Sequence, residues 1–94
     1  MEQHKALNRK EDGCFFCGRR ATELHHILSG FRRANADADG LCIWLCHWCH
    51  NEPPDGVHYN PERRLYLRKI AQTEYEKTHT RAEFMARYGK NFLD

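Results

Sequence analysis

The chain has 94 residues, with 15 Lys+Arg against 13 Asp+Glu and seven His, a formal charge of +2 when His is neutral. That length implies one domain, and a balance of 30% charged and 40% apolar residues excludes both full disorder and a large core. Five Cys and seven His point to a metal as the supplement to that core. The longest apolar stretch, Leu41 to Leu45, is too short to span a bilayer. Met1-Glu2-Gln3-His4-Lys5 lacks the hydrophobic segment of a secretory signal, so a cytoplasmic chain without a membrane partner is expected.

In chain order, residues 1–12 are polar and end at the turn signal Asp12-Gly13, which reads as a flexible arm before a single domain over residues 13–94. Cys14-Phe15-Phe16-Cys17 is a first metal-binding knuckle, with Gly18 available for its turn. Glu23 to Leu28 reads as a strand stopped by Ser29-Gly30, and Leu41 to Leu45 as a second, buried strand in which Cys42 acts as a small hydrophobe. Between them, Phe31 to Gly40 is small, polar and charged, and is expected to be a loop bearing Arg32 and Arg33 in an antiparallel hairpin.

The second knuckle, Cys46-His47-Trp48-Cys49, opens a short helical turn through His50 and Asn51 that Pro53-Pro54 should end. Asp55-Gly56 turns the chain, and Val57-His58-Tyr59 reads as extended. Asn60-Pro61-Glu62 is a helix start, an Asn N-cap followed by Pro at the first helical position. Leu67, Ile70, Ala71, Tyr75 and Thr78 then recur at helical spacing, opposite Arg63, Arg64, Arg68 and Lys69. Thr80-Arg81-Ala82-Glu83 is a capping-box start for a last helix packing through Phe84, Met85 and Tyr88 and closed by Gly89.

Two residues between sulfurs let one tight turn aim both at a single ion, and two such turns complete a tetrahedron. Cys14, Cys17, Cys46 and Cys49 are therefore expected to hold a structural zinc ion, closed to substrate. A disulfide framework suits an exported protein, and a redox pair needs a βαβ setting that neither knuckle has. Phe15, Phe16, Trp44 and Trp48 are expected to pack around the zinc rather than to stack on bases. His4, His47 and His79 carry no assigned role.

The pair His25-His26 before the second knuckle and His50 directly after Cys49 change the argument. The combination Leu24-His25-His26-Ile27 … Leu45-Cys46-x-x-Cys49-His50 resembles the HNH endonuclease family, in its zinc-bearing form with two CxxC pairs. Residues 49–58 are similar to a phage- or prophage-associated branch of it. The resemblance covers residues 14–58 and implies a small α+β, zinc-stabilised domain with a ββα-metal (His-Me finger) motif, followed here by C-terminal helices over residues 60–90. It implies that His25 and His50 bind a catalytic divalent ion and that His26 is the general base. The family's middle Asn falls on Leu41, and Asn35 or Asp39 could stand in for it. A further ligand four residues after His50 falls on Pro54, with His58 the first candidate to replace it and Asp55 the second.

Imidazole titrates near neutrality, so one ring can take a proton while others bind metal. Adjacent residues on an ideal strand point to opposite faces, so His25 and His26 can serve one site only if the strand bends or ends there. The resemblance implies a metal-dependent endonuclease that hydrolyses DNA phosphodiesters to 5′-phosphate products with a magnesium-like ion. Magnesium or manganese is the expected catalytic ion, and histidine ligands also admit nickel or zinc. Residues 61–90 hold eight Lys+Arg and four Asp+Glu, so Arg63, Arg64, Arg68 and Lys69, with Arg32 and Arg33, are the candidate phosphate contacts. Two other readings stand beside it: a catalytically inactive zinc module that binds DNA or a protein, and a nuclease acting on RNA.

Overall fold

Two short strands, β1 (Glu23–His26) and β2 (Cys42–Leu45), pair antiparallel with Glu23 opposite Leu45 and His26 opposite Cys42. In this computed structural model residues 5–93 are described, Phe31 by its backbone alone. Four helices complete the fold: α1 (Arg33–Asp39), α2 (His47–Asn51), α3 (Pro61–Tyr75) and α4 (Arg81–Tyr88). The result is a small α+β fold whose core gathers Ile43, Leu45, Val57, Leu67, Ala71 and Phe84, each fully buried. Cys42 is equally buried, as a small hydrophobe should be.

The helix starts follow from local chemistry. The Asn60 side chain accepts a hydrogen bond from the Arg63 N–H ahead of Pro61. At α4 the Thr80 hydroxyl accepts from the Glu83 N–H while the Glu83 carboxylate accepts from the Thr80 N–H. Gly89 ends α4 at φ 77°, in the left-handed region that a Cβ disfavours.

Four sequence expectations need correction. The arm expected over residues 1–12 is fastened over its described part: the Leu7 N–H donates to the Cys42 carbonyl, and the Asn8 side chain bonds both the N–H and the C=O of Trp44. Strand-edge backbone groups left without partners would be costly, and Asn8 satisfies them. His4 lies outside the described residues. The loop expected over Phe31–Gly40 is largely helix α1, preceded by a 3-10 turn over Gly30–Arg32. Ala34, Ala36 and Ala38 supply helix propensity, Gly40 caps the end at φ 73°, and Ala36 is buried.

The extended segment expected at Val57–Tyr59 is instead a turn folded back on α2. There the Val57 N–H donates to the Cys49 carbonyl and the His58 N–H to that of His50. The last carbonyls of a helix have no partner within it, and the returning chain provides them. Met85 and Thr78 are exposed rather than packed; α4 buries Phe84 and Tyr88, and α3 buries Gln72 beside Leu67, Ala71 and Tyr75.

Helix α4 docks on α1 through polar anchors. Asp39 accepts from the Arg87 guanidinium and the Tyr88 hydroxyl, while Arg32 and Asn35 donate to the Arg87 carbonyl. Beyond α4, the buried Gln72 amide holds the chain end: its Oε1 accepts from the Phe92 N–H at 2.7 Å, and its Nε2 donates to Asn91 Oδ1 at 2.8 Å. No described helix is long and apolar enough to cross a membrane.

Candidate functional site

The knuckles converge. The sulfurs of Cys14, Cys17, Cys46 and Cys49 lie within 4.8 Å of one another, with Cys17 and Cys46 at 3.5 Å. A tetrahedral ion with metal–sulfur bonds of about 2.3 Å asks for sulfurs roughly 3.8 Å apart, so this cluster could hold a metal such as zinc. Gly18 makes the first turn at φ 77°. Cys46 is the N-cap of α2, its Sγ accepting from the Cys49 N–H.

The cluster's acid–base character fits a cation. Burial raises the Cys14 thiol, but N–H groups of Cys46, Cys17 and Phe16 outweigh it and bring the pKa down to about 7. Burial and the neighbouring sulfurs push Cys49 up to about 12. One thiolate is favoured and the next is resisted, a conflict that a divalent cation removes.

Around this cluster the aromatic expectation divides. Phe16 packs against the core and under the Arg63 guanidinium, 4.4 Å from its ring centre. Trp48 and Phe15 are instead 58% and 39% exposed. The two intervening residues of the first knuckle therefore point apart, Phe16 to the core and Phe15 outward.

The second centre is built by β1, α2 and the turn after it. Alternation along β1 places Glu23 and His25 on one face, towards α2. Position 50 follows Cys49 on α2, and the folded-back turn delivers His58. The rings of His25 and His50 lie 5.1 Å apart, those of His25 and His58 5.3 Å, and His50 Nε2 is 3.0 Å from His58 Nε2. One ligating nitrogen from each lies within 4.8 Å of the others. Nitrogens about 3.0–3.3 Å apart suit a single ion at roughly 2.1 Å, so the residues fit a divalent cation.

Protonation is arranged accordingly. Burial, then the neighbouring His50 and His58, brings the His25 pKa down to about 3, so the ring is neutral at pH 7 and able to ligate. Burial and His50 likewise lower His58. Glu23 Oε1 sits 2.6 Å from His50 Nδ1 and accepts a second bond from Asn51 at 2.6 Å. A carboxylate only accepts, so His50 carries its proton on Nδ1 and turns the Nε2 lone pair towards His25 and His58. Burial raises the Glu23 pKa, but hydrogen bonds from His50 and His47 outweigh it and the net shift is downward. Sequence reasoning missed Glu23. Its signal is the i, i+2 spacing from His25, which sets both on one strand face.

His26 closes β1. Because the strand ends there, His25 and His26 line one cavity of about 200 Å³, together with Ser29, Arg33, His50 and His58. His26 Nε2 lies 3.1 Å from Asp37 Oδ1, on α1. Neither stand-in named from the sequence fills this place: Asn35 bonds the Arg87 carbonyl and Asp39 pairs with Arg87 and Tyr88. Leu41, where the resemblance asks for Asn, is buried in the core. Asp55 lines a different hollow, beside Cys17 and Cys49, and is not part of the histidine group.

The basic candidates are mostly engaged. Arg64 donates to the Val57 carbonyl and so braces the turn that carries His58. Arg32 lies against α4, Arg63 on Phe16, and Arg68 5.7 Å from the Phe92 ring centre. Lys69 and Arg33 are exposed, and Arg33 alone among the named cations reaches the histidine cavity. His47 bridges Glu23 and Glu52, and His79 stacks on Tyr75. No family model, curated protein or solved structure matches this chain.

Proposed function

We propose that the chain is a metal-dependent endonuclease of the HNH, ββα-metal kind that hydrolyses DNA phosphodiester bonds. The carrying observation is the convergence of His25, His50 and His58 beside His26 in one cavity. Three imidazoles are a donor set for manganese, nickel or zinc, with magnesium the weaker fit. An ion held there supplies positive charge for the oxygens around phosphorus. The ion of the four cysteines shapes the fold and does no chemistry.

In this reading His26 takes the proton of a water, whose oxygen bonds to phosphorus as the bond to the 3′ oxygen breaks, and the departing oxygen takes a proton from solvent. Asp37, whose Oδ1 lies 3.1 Å from Nε2, holds the His26 ring in place to receive its proton. Arg33 faces the same cavity and offers a cation to a non-bridging phosphate oxygen. Glu23 keeps His50 in the ligating tautomer.

A plasmid-nicking assay with magnesium, manganese, nickel or zinc tests this. Wild type should nick, and His26→Ala should lose about 10²–10⁴-fold. Equal cleavage by both overturns the assignment of the base. No cleavage of DNA or RNA by wild type with any ion leaves a silent zinc module, the reading favoured by Leu41 in place of the family's Asn.

A further inference from the structure

Next to the histidine cavity lies a second one, of about 240 Å³, lined by Arg32, Arg68 and Lys90 with Ser29, Tyr88 and Phe92 among its walls. Ser29 lines both cavities, so the two open on either side of one residue. Among the described residues, no acidic side chain lines the second. Its volume is below the roughly 300–1,000 Å³ of sites that enclose a drug-sized ligand, and suits a small anionic group.

Three separate parts of the chain bring the cations together. Arg32 precedes α1 and is held by the Arg87 carbonyl at 2.6 Å. Arg68 lies on α3. Lys90 sits in the segment after α4, which the buried Gln72 amide pins through Asn91 and the Phe92 N–H. That anchor places the Phe92 ring centre 5.7 Å from the Arg68 guanidinium and 6.0 Å from the Lys90 ammonium. Both cations lie over the ring, whose face is negative, which steadies them at the cavity without cancelling their charge.

We propose that this cavity is a subsite for a backbone phosphate of the DNA strand that enters the histidine site, next along from the scissile phosphate. The inference rests on the nuclease reading for the identity of the strand. It adds the chain end, Lys90 to Phe92, to the substrate-binding surface. Contacts of this kind position a backbone without reading sequence, so the subsite contributes affinity and register rather than specificity.

The test is binding of a fluorescent duplex oligonucleotide to the protein carrying one equivalent of zinc, enough for the cysteine cluster, with no further divalent ion, over a salt series. Lys90→Gln should weaken binding severalfold and lower the salt dependence by about 0.9 in the slope of log K against log[salt], as for one lost phosphate contact. Arg68→Gln should do the same, and the double variant should lose little more, because both side chains serve one phosphate. Lys77→Gln makes the same charge change outside both cavities, beside Glu74, and should leave the slope unchanged. Losses at Lys90 and Arg68 no larger than at Lys77 overturn the subsite, even where plasmid nicking is normal. Binding that depends on Lys90 in a protein that nicks nothing sinks the nuclease reading and keeps the subsite. Absence of duplex binding by wild type overturns both. Inorganic phosphate that competes in the millimolar range with wild type, and not with Lys90→Gln, supports the anion subsite; an equal effect on both counts against it.

Discussion

Glu23 acts on the histidine group through its hydrogen bonds alone. It accepts from His50 and Asn51 through one oxygen and from His47 through the other, so it fixes a tautomer that imidazole alone leaves open. A partner of this kind typically carries 10–100-fold in metal affinity. Glu23→Gln keeps the shape but can present an N–H to His50, and should weaken manganese or cobalt binding at the histidines by about that factor. Zinc content at the cysteines should remain at one equivalent, measured in the same titration. His25, His26 and His50 stood out in the sequence through the family resemblance carried by the His doublet and by a His directly after Cys49. Glu23 and Asp37 did not, since their roles depend on which strand face meets α2 and on a helix that crosses over β1.

At the level of elements, the turn after α2 decides whether His58 belongs to the site. Gly56 makes this turn possible for a steric reason: a Cβ there would lie 2.7 Å from both the Glu52 N and the Glu52 O, backbone atoms that cannot swing aside. Gly56→Ala should therefore destabilise the protein by about 1–3 kcal/mol, read from urea unfolding. It should also weaken metal binding at the histidines while the cysteine cluster stays loaded. The two long helices were legible because their caps are written within four residues, at Asn60 and Thr80. Helix α1 was hidden because Ala34-Asn35-Ala36-Asp37-Ala38-Asp39 alternates small and polar residues, without a 3.6-residue apolar rhythm. Its burial comes from one residue, Ala36, and its anchoring from Arg87 and Tyr88 some fifty positions away.

For the whole molecule, the arithmetic of a small core favours dependence on the cysteine-bound ion. A chain of this length is expected to be stable by about 5–14 kcal/mol, whereas zinc binding to four such ligands is worth about 10–16 kcal/mol in small metal-folded domains. Removing the ion should thus cost as much as the entire fold. Exposure to a strong chelator, or Cys49→Ser, should abolish the near-ultraviolet dichroism of the buried aromatics. Retention of a cooperative thermal transition after complete metal removal would show that the helices and strands suffice. The four-sulfur cluster was readable because CxxC spacing is a geometric constraint in itself, and the α+β class because strand and helix-cap signals are local. The docking of α4 on α1, and the meeting of three cations around Phe92, emerge only when distant parts of the chain pack.

The strip formed by Leu7 and Asn8 along β2 has one more effect. A two-stranded ribbon normally offers its outer rim to any extended chain nearby, which invites stacking into aggregates. Here Asn8 occupies the Trp44 N–H and C=O, and Leu7 the Cys42 carbonyl. That rim is already spoken for, and self-association by strand addition is blocked along it by two residues of the chain's own beginning.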